Sequence, residues 1–341
     1  MRRHKNKSDY MSRKMDNDLR LLEEKLTALY ANATNQVTAR FNDYAKKIGP
    51  QLAEWQAAYE AGLITKTEYE IAVRSKILQS KMYRAAIDLF TDMLVKADVA
   101  AMALVRGELP YVLANSFNFV QSLGWAAADE AGLSVGTFQI FNVEAIQKLI
   151  RDNPRLLPAV DLPADQLWNK DRINNTIAHA ILQGHDMGKI ADNLKQVARM
   201  DESAAIRTAR TAYTYAENLG RDEAYHDLKN KGMPVRKMWN AVLDNRTRET
   251  HRQLNGTYAN ADDMFGEGIL DVLLQCPADP NGEPQEIYNC RCRESIVFDN
   301  GLVDHSNDDD LYEQFMKKTD EKSYQALKDR NYFNEHKLYG H

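Results

Sequence analysis

Nine apolar or aromatic positions near the start of the chain (Leu19, Leu22, Leu26, Leu29, Ala33, Val37, Phe41, Tyr44, Ile48) advance 29 residues in eight steps. That is 3.6 residues per step, the turn of an α-helix. Such a stretch carries one apolar stripe and must cover it with other elements. Gly49-Pro50 predicts its end. Thr65 and Glu68 fit a capping box. The helical pattern behind them runs to about Arg106, with Gly107 and Pro110 as its predicted stop. Further helices are predicted over 111–131 and 142–152. Pro154, Pro158 and Pro163 mark a connector. Helices are then predicted over 165–183, 188–197 and 201–231, with Gly232 and Pro234 closing the last.

The pattern changes after Pro234. Residues 235–242 mix β-branched, aromatic and apolar side chains and predict a strand. Asp244-Asn245 predicts a turn, and 247–254 a short helix ended by Asn255-Gly256. A loop rich in Asp, Gly and Pro leads to a last predicted strand over 290–298. The expected fold is mainly α: a long-helix N-terminal body with a small C-terminal α+β module. The expected divisions are a basic disordered arm over 1–16, a long-helix domain over 17–153 and a helical stretch over 165–234. A Cys/His module over 235–298 and a polar, partly helical tail over 299–341 complete them.

Charge and cysteine usage narrow the function classes. Net charge is −5 over 341 residues, so contact with nucleic acid must be local. The place for it is the first 15 residues, where Arg2, Arg3, Lys5, Lys7, Arg13 and Lys14 face one acid, Asp9. This arm is read either as a DNA contact or as a solvated terminus. It lacks the apolar segment of a secretory signal, and no apolar run approaches the ~18–20 residues that span a bilayer. No membrane anchor is expected. Three cysteines exclude a simple disulfide framework and fit a reducing compartment.

All three, Cys276, Cys290 and Cys292, fall in the small module beside His251. On a strand, residues two apart share a face, so Cys290 and Cys292 can meet one ion. With His251 and Cys276 they make a Cys₃His set suited to a structural zinc. Reduced, half-buried thiols around a hydrogen-bonded histidine are the other reading. An enzyme directed at a phosphodiester or nucleotide, using Asp244, His251 and the cysteines, is the functional alternative. No catalytic residue is assigned, because the chain lacks a Gly-rich phosphate loop, an H-E-x-x-H and a G-x-S-x-G. Asp244 also reads simply as a turn residue that caps the helix after it.

The order of motifs in this region is specific. Trp239 precedes Asp244-Asn245-Arg246-Thr247-Arg248-Glu249-Thr250-His251, then Leu254-Asn255-Gly256, then Asn289-Cys290-Arg291-Cys292. Upstream stand Ile206-Arg207-Thr208-Ala209-Arg210-Thr211 and Ala216-Glu217-Asn218. Over about 174–297 the chain resembles the phage Mu F-like head morphogenesis family, also called minor capsid or minor head proteins. Many members have Arg-Thr-Glu where this chain has Arg210-Thr211-Ala212, and many lack a cysteine at Cys276. The resemblance implies a non-enzymatic virion component of a tailed bacteriophage, assembled in the host cytoplasm. It would sit in the head near the portal vertex and act in procapsid assembly and DNA packaging or delivery. Implied partners are the portal protein, the major capsid or scaffolding protein and packaged double-stranded DNA. Trp239, Asp244, Arg246, Thr247, Arg248, His251, Gly256, Asn289, Cys290, Arg291 and Cys292 are expected to form its structural network.

Overall fold

The computed structural model describes residues 9–134, 137–152, 166–183, 185, 187–298, 301–302 and 308–329. Six helices come first: α1 (Tyr10–Glu60), α2 (Lys66–Val73), α3 (Lys81–Glu130), α4 (Val143–Asp152), α5 (Gln166–Leu182) and α6 (Met187–Asn230). The remainder is β1 (Val235–Asn240), α7 (Glu249–Leu254), β2 (Tyr258–Asn260), α8 (Pro284–Ile287), β3 (Arg293–Phe298), β4 (Gly301–Leu302), α9 (Asp308–Thr319) and α10 (Glu321–Asp329). The fold is mainly α with a small α+β module. Among the described residues, no helix is long and apolar enough to cross a membrane. Pro154, Pro158 and Pro163 lie outside the described residues.

Three predicted helix boundaries are absent. α1 runs through Gly49-Pro50, and α3 runs through Gly107 and Pro110. The two segments expected on either side of residue 200 are one helix, α6. In each case the buried stripe continues past the breaker: Ile48 to Leu52, Leu109 to Val112 and Leu113, Ala198 to Ala205. Packing of a continuous stripe outweighs the loss of one backbone hydrogen bond at a proline. The expected capping box is present, with Glu68 N–H donating to Thr65 Oγ1 and Thr65 N–H donating to Glu68.

The chain divides into two compact units. One comprises residues 22–104 and 161–206. Its core joins α1 to α3 through Phe41 and Phe90, whose ring centroids are 6.4 Å apart, and Tyr44 and Tyr83, 6.2 Å apart. Tyr30 Oη donates to Asp98 at 2.6 Å, and Arg172 Nη1 pairs with Asp201 at 3.1 Å. Burial first, and the Asp98 carboxylate second, push Asp201 up to about 6, while Arg172 opposes them. An unfolded Asp titrates near ~3.9. A carboxyl raised in the fold favours folding fully below the unfolded value, and that contribution is lost as pH rises through the folded one. Asp201→Asn should therefore flatten the stability loss of this unit between about pH 4 and 6. Parallel Tm–pH profiles for the variant and the parent over that range would contradict this.

The other unit comprises residues 1–21, 105–160 and 207–341. Its sheet is antiparallel, in the order β2-β1-β3-β4. Trp239 stands opposite Glu294, and Lys237 opposite Ile296. α6 and α3 approach closely here: a Cβ added at Gly220 would lie 2.4 Å from the Leu113 carbonyl oxygen. A backbone atom cannot rotate away, so Gly220→Ala should cost about 1–2 kcal/mol net of its helix-propensity gain. An unchanged urea midpoint would refute that.

The ends of the chain correct two expectations. α1 begins at Tyr10, so residues 10–16 are helix rather than disordered arm. Tyr10, Met11 and Met15 are buried, and Lys14 is buried with its Nζ 2.8 Å from Asp18. A side chain so enclosed does not present a charge to DNA, which overturns the expectation for Lys14. Arg13 is exposed, whereas Arg2, Arg3, Lys5 and Lys7 lie outside the described residues. The stretch expected as a polar tail contributes to the core through α9. Tyr312 is fully buried, packs at a tilt against Tyr10 and edge-on against Phe119, and donates to Asn115 Oδ1 at 3.0 Å.

Candidate functional site

The motif residues assemble into three connected layers. The first is the turn after β1. Asp244 Oδ1 accepts from the Arg246 N–H at 2.9 Å and from Thr247 Oγ1 at 3.1 Å. Its two oxygens also take a forked pair from Arg291, Nη1 at 2.7 Å and Nη2 at 2.8 Å. Arg291 first, and the Arg246 N–H second, hold this carboxyl well below the usual carboxylate range. Asp244 is thus a staple between the turn and the Asn289–Cys292 segment, with both oxygens engaged. Arg248 donates to the Tyr288 carbonyl, while the Arg246 side chain is mostly exposed. Gly256 closes the unit with φ +82° and an N–H bond to the Trp239 carbonyl at 2.8 Å. That conformation suits glycine, which has no Cβ to clash.

The second layer is the buried histidine–cysteine cluster. His251, on α7, lies with its Nδ1 3.3 Å from Cys292 Sγ and 3.7 Å from Cys290 Sγ. Its Nε2 faces Glu286 Oε2 on α8 at 3.0 Å, and Thr250 Oγ1 donates to that oxygen at 2.9 Å. Trp239 meets the imidazole edge-on, 5.3 Å between centroids, and Phe265 packs on the indole at 5.3 Å. His251 is 1% exposed, Cys290 1% and Cys292 3%, so solvent barely reaches them. The neighbouring Cys292 thiol, and then His251, pull Cys290 well below the usual thiol range against its burial. Cys292 is pushed well above it, by Cys290 and then by burial.

Two expectations change. Cys290 and Cys292 precede β3 instead of lying on it, so shared strand face is not what brings them together. Asn289 at φ +55° turns the chain before them, a conformation asparagine tolerates better than most residues. Cys276 is buried but stands outside the cluster, and the set whose ligand atoms converge is His251, Cys290 and Cys292. Burial, then Glu294 and Asp222, push the Cys276 thiol well up. The sequence pattern missed Glu286, which nothing in local spacing connects to a histidine 35 residues away.

The third layer is one face of α6. Thr211 Oγ1 accepts from the Asn289 N–H at 3.1 Å, and Thr214 Oγ1 donates to the Cys290 carbonyl at 3.0 Å. Asn218 Nδ2 donates to the Cys292 carbonyl at 3.1 Å, and its Oδ1 accepts from the Glu294 N–H at 2.9 Å. Positions 211, 214 and 218 share a helix face, so the upstream Arg-Thr segment grips the backbone of the cysteine segment. Beyond Asn218 lies a buried charge network. Arg221 forks onto Asp9 at 2.8 and 3.0 Å and reaches Glu217 at 3.2 Å. Arg293 Nε bonds Glu217 at 2.9 Å. Lys237 Nζ bonds Asp222 at 2.6 Å and lies 3.9 Å from Glu294. Burial, with Asp222 second, pushes the Glu294 carboxyl well up. None of these charges was singled out as a site. The legible signal is a pair of i,i+4 polar rows on α6, Glu217 with Arg221 and Asn218 with Asp222.

Comparison with known families falls on the same region. A family model described as Phage Mu protein F like protein matches residues 171–295. The minor head protein GP7 of Bacillus phage SPP1 is 29% identical over 166 residues, 48% of this chain and 52% of that protein. An NAD(+)–arginine ADP-ribosyltransferase, EFV, of Enterococcus faecalis is 26% identical over 129 residues, 37% of this chain and 26% of that protein. The uncharacterized protein YqbB of Bacillus subtilis is 26% identical over 133 residues, 38% of this chain and 43% of that protein. The chain thus spans about half or less of the length of these relatives. No solved structure matches.

Proposed function

We propose that this chain, which carries a phage Mu F-like region over residues 171–295, is a minor head protein acting in head morphogenesis of a tailed bacteriophage. The observation that carries this reading is the 29% identity over 166 residues to a minor head protein, together with the Mu F-like match over residues 171–295. Asp244, Thr211, Thr214 and Asn218 are engaged in holding backbone and side chains together. His251 and both cysteines of the cluster are buried. A substrate cannot approach a group 1–3% exposed without opening the module. This favours a scaffold over the nucleotide- or phosphodiester-directed alternative built on Asp244 and His251. The stretch shared with the ADP-ribosyltransferase is 26% of that relative, consistent with a common module joined there to other sequence.

In the finer reading, the protein works beside the portal and meets the portal protein and the major capsid or scaffolding protein. The basic residues at the start of the chain, Arg2, Arg3, Lys5 and Lys7, then touch packaged DNA. The test is mass spectrometry of purified procapsids and heads made with and without the gene. The chain should be present in particles in few copies and cross-link to the portal protein. Its absence from particles that assemble and fill normally without it would overturn the proposal.

A further inference from the structure

We propose that His251, Cys290 and Cys292 hold one soft divalent cation of the zinc class, with Glu286 orienting the histidine from its far nitrogen. Their ligand atoms all lie within 4.8 Å of one another, and all three residues are buried. Both sulfurs converge on the same ring nitrogen, Nδ1, at 3.3 and 3.7 Å. A neutral imidazole offers one lone pair there, enough for one thiol proton and not for two. A cation at the centre of the triangle would engage that lone pair and both sulfurs at once. With Zn–N of about 2.0–2.1 Å and Zn–S of about 2.3 Å, tetrahedral geometry separates nitrogen and sulfur by about 3.5 Å. The observed pair of distances brackets that value.

The far side of the ring supplies an independent observation. Glu286 Oε2 lies 3.0 Å from Nε2 and is itself fixed by Thr250 Oγ1 at 2.9 Å. A carboxylate there favours the tautomer with its proton on Nε2, leaving the Nδ1 lone pair aimed at the sulfurs. Nε2 makes no hydrogen bond in the structure, and a small turn of this carboxylate would make it the outer partner that metal-bound histidines usually have. Cys276 is not a ligand, so three protein donors leave one position for a small donor such as water. The cation would join α7 to the segment before β3.

The test uses the full chain, purified reduced and metal-depleted, and titrated with Co²⁺ as the probe. We expect one equivalent bound, with thiolate-to-cobalt charge-transfer absorption that Zn²⁺ displaces. Cys276→Ser should keep the band and Cys292→Ser should lose it. Glu286→Gln should weaken binding about 10–100-fold. A reduced chain with intact helical circular dichroism that takes up no cobalt would overturn the proposal. So would a band that survives Cys292→Ser or vanishes in Cys276→Ser. If Cys292→Ser fails to fold, the titration of the unmodified chain and of Glu286→Gln decides the matter alone.

Discussion

Arg221→Ala should destabilise the unit that holds the sheet by about 3–5 kcal/mol, the usual consequence of removing one partner from a buried ion pair. Arg221 is 1% exposed and its guanidinium serves five acceptors: both Asp9 oxygens, Ser12 Oγ, Glu217 and the Glu294 carbonyl. Burial works against its charge, and Asp9 and Glu217 overcome it. Without the guanidinium those carboxylates remain desolvated, since Glu217 is 1% exposed and Asp9 4%. Arg221→Lys keeps the charge and loses the fork, so its cost should be smaller. Hydrogen exchange of the β1 and β3 amides under increasing urea measures the effect where it falls. A loss below about 1 kcal/mol would mean that the network is not a net support of this unit.

Trp239→Ala should cost a similar amount, about 3–5 kcal/mol, because the indole is fully buried and its removal leaves a cavity. The cavity would open beside His251 and Phe265, which both pack against the indole. Cys290 and Cys292 should then react faster with a thiol reagent. Trp239→Phe retains an aromatic ring and should lose less in stability and in thiol protection. Unchanged thiol reactivity in Trp239→Ala would show that the indole does not seal the cluster.

The two variants probe different kinds of legibility. Trp239, His251 and the Cys290–Cys292 pair stood out in the chain because rare residue types gathered in one short region. The Arg221 network did not. Its members lie at positions 9, 217, 221, 293 and 294, and beyond the i,i+4 pair of Glu217 and Arg221 no local pattern links them. An arginine on a helix is ordinarily solvated, so only burial reveals that this one organises a core. Lys237 repeats the lesson. Its alternation with Trp239 on β1 marks an inward face, yet a lysine there reads as an error until Asp222 is seen 2.6 Å from its Nζ.

Helix type and the change of pattern after Pro234 followed from the sequence alone, because a 3.6-residue apolar period is a local property that survives in any fold. The turn at Asp244, the glycine at Gly256 and the capping box at Thr65 followed for the same reason: each is set within a few residues of backbone. Helix length did not, because whether a helix continues past Pro50, Pro110 or residue 200 depends on what covers the stripe beyond. Nor did the membership of the histidine–cysteine cluster. Cys276 and Glu286 are equally distant from His251 in kind, one a plausible ligand and the other unremarked. Tertiary packing brought the carboxylate to the imidazole and left Cys276 outside the cluster, since side-chain placement at long range is decided by which surfaces the chain buries together.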